Sequence, residues 1–245
     1  MPNTIKDILL DLLKTVGPSG SEERVISLFG RSIAPYVTEV KTDVTGNCIA
    51  HKNGSGSKVM LAAHADEVGL MIHYIDERGF LYFKEIGGVD TSLLPGQRIS
   101  IEGINGPVIG VIGKKPIHIQ DKTDSPRTIN PEDLWIDIGA KDKKDAEQKV
   151  HIGQVATIIS EPVLLSDQIV ASKSLDDRIG LAILISVAEK LGQTNADVYF
   201  VASAQEELGS VGAQTVTERI LPDVGIAIDV THATDYPTMS VVKEG

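Results

Sequence analysis

The sequence predicts an α/β protein interrupted by a β-rich segment, and three patterns carry that expectation. Apolar runs at 58–63, 198–204 and 224–228 read as strands of a buried sheet. Apolar residues at helical spacing over 5–13, 179–191 and 211–218 supply amphipathic helices to cover it. From 69 to about 162 the chain changes to short extended segments separated by turn residues, a small β-rich unit of its own.

In chain order, Ile5, Ile8, Leu9, Leu12 and Leu13 define a first helix that stops at Gly17-Pro18. Ser19 stands three residues before Glu22, the spacing of a capping box, and Val25, Leu28, Phe29 and Ile33 continue a second helix to about Pro35. Short strands at 37–42 and 48–51 flank a Thr45-Gly46-Asn47 turn, and the strand at 58–63 follows. In the β-rich unit, 70–75 pairs with 80–85 around Asp76-Glu77-Arg78-Gly79, and 99–104 pairs with 108–112 around an Asn105-Gly106 hairpin signal. A strand at 134–138, a short helix at 142–149 and a strand at 155–160 complete the unit, with a polar loop expected over 114–131.

Composition narrows the function. Among 245 residues, 34 acids against 23 bases give a net charge of −11, which excludes a basic face for nucleic acid or an anionic membrane. No apolar run is long enough to span a bilayer, and the N-terminus lacks a basic leader followed by an apolar core, so the expected compartment is the cytoplasm. The single cysteine, Cys48, permits no internal disulfide and reads as a buried, inert thiol.

The chemistry gathers where strands end. His64 and Asp66 follow the 58–63 strand two residues apart, so an imidazole and a carboxylate share one face of extended chain. Glu206 and Glu207 follow the 198–204 strand and, on extended backbone, would address opposite sides: one a metal, the other a proton. Asp229 ends the 224–228 strand, and Asp176-Asp177 opens the helix at 179–191, where at least one of the two serves as a cap or dipole partner. One histidine among several carboxylates suits zinc, cobalt or manganese, and the surplus of acids points to two ions sharing an activated water. His73, His118 and His151 read as structural or surface residues.

In order and spacing, His64-Ala65-Asp66-Glu67-Val68-Gly69, Leu175-Asp176-Asp177-Arg178, Gln205-Glu206-Glu207-Leu208-Gly209 and Asp229-Val230-Thr231 resemble the motifs of the tetrahedral and glutamyl aminopeptidases, metallopeptidase family 42. Gly87-Gly88, Pro116-Ile117-His118 and Ile136-Asp137-Ile138-Gly139-Ala140 extend the resemblance through the β-rich segment. The resemblance implies a mixed-sheet, zinc-exopeptidase-like catalytic domain (1–68 and 163–245) interrupted by a PDZ-like β domain (69–162) used in self-association. It implies two divalent ions, zinc or cobalt before manganese: His64 and Asp229 on one, Glu207 on the other, Asp176 bridging. Asp66 would orient His64, Asp177 would be structural or support the bridging acid, and His232 would help bind substrate, stand behind the ligands or lie at the surface. Glu206 would be the general base in removing N-terminal residues from peptides with a free amine. A deacylase or carboxypeptidase, or a non-catalytic assembly module, is the alternative.

One departure accompanies the resemblance. The family pattern continues beyond the position of Gly245 and supplies a last histidine to the ion held by Glu207; no histidine of this sequence matches it. The expectation is a truncated product whose second ion has only Asp176 and Glu207, with weak activity or none.

Overall fold

A computed structural model of the chain describes residues 4–116, 118 and 129–237; most of the loop expected over 114–131 lies outside them. Two helices open the chain. α1 (Ile5–Lys14) is capped by Thr4, whose side chain accepts from the Asp7 amide while Asp7 reciprocates. α2 (Glu23–Ile33) starts later than the serine-glutamate spacing implies. The expected capping box does not form, because Glu22 points elsewhere: its carboxylate accepts from the amides of Gly20 and Gln205. Glu22 thereby ties the entry of α2 to the loop that carries Glu206.

The first sheet takes β1 (Glu39–Thr42), β2 (Cys48–Lys52), β3 (Lys58–His64), β12 (Asp197–Ser203) and β13 (Val224–Ala227) in the order β1-β2-β12-β3-β13. It is mixed, with β12 antiparallel to β2 and parallel to β3, and β13 parallel to β3. α1, α2 and α4 (Leu175–Lys190) cover one face through Leu12, Phe29, Leu181 and Ile185 against Ala50, Ala63 and Phe200. α5 (Val211–Ile220) covers the other through Val216 and Ile220 against Ile49, Met60 and Val201. Phe200 and Val201 thus serve opposite layers, as alternation along a strand requires. Cys48 is 1% exposed, and burial pushes its thiol up to about 12, consistent with an inert role.

The segment after His64 forms a closed six-stranded barrel. Its strands are β4 (Gly69–Ile75), β5 (Leu81–Ile86), β6 (Arg98–Gly103), β7 (Gly106–Lys114), β8 (Leu134–Asp137) and β9 (Val155–Ile158), in the order β4-β5-β8-β7-β6-β9. Leu70, Ile72, Leu81, Ile99, Ile101 and Ile136 fill it, and α3 (Lys143–Glu147) lies between β8 and β9. Closure removes the unpaired edges an open sheet would present. The hairpin signal is displaced by one residue: Gly103 pairs with Gly106, so the two connecting residues are Ile104 and Asn105.

Two further elements depart from expectation. β10 (Val163–Ser166) and β11 (Ile169–Ala171) form a hairpin that leads from the barrel back to α4, with Val163, Leu164, Leu165 and Ile169 exposed. Among the described residues β13 is an exposed edge rather than a buried strand: it pairs there with β3 alone, and all four of its residues are exposed. Its apolar composition hid that difference, since an apolar run does not distinguish a central strand from an edge. Among the described residues no helix is long and apolar enough to cross a membrane.

Candidate metal centre

β3 and β12 run in register so that His64 lies opposite Ser203, and the Ala65 amide donates to the Ser203 carbonyl one step beyond. Both chains therefore leave the sheet at the same level, and the site forms in the gap above them. His64 is 4% exposed. Its Nε2 lies 2.9 Å from Asp176 Oδ1, and its Nδ1 lies 3.3 Å from Asp66 Oδ1, close enough for charge attraction but not aligned as a hydrogen bond. Burial opposes a charged ring, yet the Asp66 and Asp176 carboxylates prevail and push its pKa up to about 9.

Ligand-capable atoms of His64, Asp177 and Asp229 all lie within 4.8 Å of one another. Asp177 is fully buried; its Oδ1 accepts from the Gly180 amide, while its Oδ2 has no hydrogen-bond partner among the described residues. Burial first, then the like charges of Asp229 and Asp176, push the Asp177 carboxyl up to about 7 against the pull of His64. An orphaned, buried carboxylate oxygen within a three-way cluster of one imidazole and two carboxylates fits a divalent cation, and that donor set suits zinc, cobalt or manganese.

The two aspartates sit differently at the site. Asp177 contributes an oxygen to the three-way cluster, whereas Asp176 Oδ1 contacts His64 Nε2 at 2.9 Å. Neither sits in regular helix: Asp176 (ψ 108°) and Asp177 (ψ 42°) depart from helical geometry, and Ser174 before them is left-handed at φ 60°. The cap reading fits Asp177, whose side chain accepts the Gly180 amide three residues on from a non-helical backbone, as an N-cap does.

Glu206 and Glu207 are not on extended backbone either. β12 ends at Ser203, Gln205 adopts a left-handed φ of 56°, and the pair lies in the following turn. Asp66 holds that turn: Oδ1 accepts from the Glu206 amide and Oδ2 from the Glu207 amide, each at 3.0 Å. Burial works against ionisation of Asp66, but these bonds and His64 hold its carboxyl below the usual range. Glu206 Oε1 accepts from the Ser210 hydroxyl at 3.2 Å. Burial raises the Glu207 carboxyl, partly offset by the Gly88 amide, which reaches it from the barrel.

Beneath the site lies an ionic group that motif reading passed over. Glu67 is 3% exposed and receives the Gly17 amide and Arg178 on one oxygen, and Lys173 and Ser174 on the other. Its signal was present: three polar residues within the four that follow an apolar strand, His64, Asp66 and Glu67, cannot all be solvated. His73, His118, His151 and His232 are exposed, as a surface role requires.

A family model, that of the M42 glutamyl aminopeptidases, matches residues 46–245. This chain belongs to that family. A lysyl aminopeptidase of Pyrococcus furiosus is 38% identical over 230 residues, covering 93% of this chain and 66% of that relative. An aminopeptidase from the archaeon Desulfurococcus kamchatkensis superposes with a TM-score of 0.91 at 36% identity, covering 98% of this chain and 66% of that one. The Pyrococcus horikoshii TET1 peptidase, described as assembling into a tetrahedron or a large octahedral shell, superposes with a TM-score of 0.83 at 32% identity, over 92% and 68%. The chain thus spans about two thirds of the length of these M42 relatives, with the mixed α/β fold they share.

Proposed function

We propose that this chain is a metal-dependent aminopeptidase that hydrolyses the first peptide bond of substrates with a free amine. The observation that carries the reading is the opposition of the His64, Asp177 and Asp229 cluster to a glutamate turn anchored by Asp66. Zinc or cobalt, with manganese as a third candidate, would be held there by His64 and Asp229 together with an aspartate of the Asp176-Asp177 pair; a second ion would rest on Glu207. Bound ions supply Lewis acidity to the scissile carbonyl and to the attacking water.

The chain's own residues manage the protons. Glu206 accepts the water's proton at a carboxylate oxygen and returns it to the leaving amine, a task that requires the side chain free of a cationic partner and steadily placed. Its contact from the Ser210 hydroxyl and the backbone anchor at Asp66 Oδ1 meet both needs. Asp66 Oδ1 stands 3.3 Å from His64 Nδ1 and would favour a proton on that nitrogen, leaving Nε2 for the cluster. Residues 69–162 form an inserted, PDZ-like unit in this proposal, supported by the barrel's separate apolar core, and mediate self-association.

The deciding experiment compares the chain with Glu206→Gln, measuring bound metal by elemental analysis and release of p-nitroaniline from an amino-acid anilide. Equal metal content with turnover reduced by about 10²–10⁴-fold is expected. Unchanged turnover would remove Glu206 from the chemistry, and no bound metal in either protein would end the metallopeptidase reading for this chain.

A further inference from the structure

Between the metal centre and the barrel lies a cavity of about 380 Å³, at the lower end of the range for small-ligand pockets. Asp176, Glu207 and Glu67 contribute carboxylates to its lining. Its walls are apolar and come largely from the barrel and the strand leading into it: Val68, Leu70, Val89, Leu94 and Ile158. Lys173 also borders it, but that ammonium is engaged by Glu67 Oε2. The barrel therefore walls the active centre as well as packing on it.

We propose that this cavity receives the side chain of the substrate's N-terminal residue and selects an apolar, leucine-sized one. The proposal rests on the aminopeptidase reading above and adds its substrate class. The α-amino group lies at the carboxylate end, beside Asp176 and Glu207, which leaves the side chain to the apolar walls. A glutamyl side chain would be stripped of water against Val89 and Ile158, beside a Lys173 already engaged by Glu67. A lysyl side chain would bring a second cation toward Lys173, and the third carboxylate of the lining, Glu67, is already paired with Lys173 and Arg178. The walls thus differ in kind from what the lysyl preference named for the Pyrococcus furiosus relative would require.

Calorimetric titration of the purified, metal-loaded chain with leucinamide, alaninamide, lysinamide and the α-amide of glutamic acid tests this directly. Leucinamide is expected to bind at least about tenfold more tightly than alaninamide, the discrimination an apolar pocket achieves for added methylenes, and more tightly than both charged amides. Val89→Trp, which fills the cavity from the half-buried rim, is expected to abolish the leucine-over-alanine preference while the melting temperature holds; Ile158→Phe provides the same narrowing from a second strand. A preference for lysinamide or the glutamyl amide, equal binding of all four, binding of none, or a leucine preference that survives in both folded variants would overturn the proposal. Turnover of leucine anilide, followed in parallel, separates the two readings. Selective leucinamide binding without turnover sinks the aminopeptidase function and keeps the cavity assignment, and turnover with a charged preference does the reverse.

Discussion

Asp66 Oδ2 accepts the backbone amide of Glu207, and its partner oxygen accepts that of Glu206, so one buried carboxylate fixes the glutamate turn while its charge stands beside His64. Asparagine at this position keeps the shape but leaves one acceptor oxygen and turns an amide group toward a backbone N–H. Asp66→Asn should lower stability by about 1–3 kcal/mol through the unpaired buried donor. The melting temperature of a chain this size should fall by ~2–4 °C per kcal/mol. Because the Asp66 carboxyl is held below its ordinary range, its contribution is present above the unfolded pKa and lost as pH falls through the folded one. Thermal scans of both proteins should therefore converge in acid; a constant offset down to the lowest pH would contradict this account.

The metal-free centre has the opposite pH signature. Asp177 is raised from 3.8 to about 7, so the folded state binds a proton more readily than the unfolded chain and its stability declines as pH rises from about 4 to 7. His64, raised from 6.5 to about 9, contributes stability that is complete below the unfolded value and lost between pH 6.5 and 9. A divalent cation competes for the same atoms, so its stabilising effect grows over that range. Chelator-treated protein should lose melting temperature between pH 5 and 9, and added zinc should raise it more at pH 8 than at pH 6. Asp177→Asn should flatten the lower half of the metal-free profile; an unchanged slope would show that Asp177 titrates normally.

How much of this was legible follows from what each signal measures. Periodicity located β3 and β12 because their apolar side chains face packed helices, and the strand ends followed as places where ligands gather. The motifs at those ends carried the family. Backbone geometry inside the motifs was not accessible, since the left-handed Gln205 and the non-helical Asp176-Asp177 pair are settled by contacts made across the site. Glu22 shows the reason in miniature: local spacing favoured a helix cap, and a long-range amide at Gln205 took the carboxylate instead. Nor does an apolar strand announce how many neighbours it will have, which is why β13 read as buried.

The loop after β5 brings the barrel to the metal centre through Gly87. It adopts φ +75°, and a Cβ built there would meet Glu207 Oε2 at 2.7 Å and Val68 Cγ1 at 3.0 Å. Gly88, whose amide reaches the Glu207 carboxylate, has open space at its own Cβ position and no positive φ. Gly87→Ala should therefore cost about 1–2 kcal/mol in backbone strain and also push Glu207 aside. Gly88→Ala should be close to neutral. Metal content, melting temperature and anilide turnover measured on both variants decide the matter: equal behaviour of the two would mean that the barrel does not set the position of Glu207.

Glu67 concentrates the last prediction, because it is the anion to which both buried Arg178 and half-buried Lys173 are paired. Arg178 is fully buried, with Nη2 near Glu67 Oε1 and the Gly17 carbonyl, while its Nε and Nη1 have no hydrogen-bond partner among the described residues. Glu67→Gln removes the compensating charge from a guanidinium that water cannot reach, a loss of about 3–5 kcal/mol for a broken buried pair. Replacing Arg178 by Met together with Glu67→Gln removes the stranded cation as well as its partner. The double variant should then be more stable than the sum of the single losses implies, since the two residues share one interaction. Urea unfolding of the four proteins yields that coupling directly. Strict additivity would show that Glu67 and Arg178 act independently, leaving Lys173 and Ser174 to hold the glutamate beneath the site.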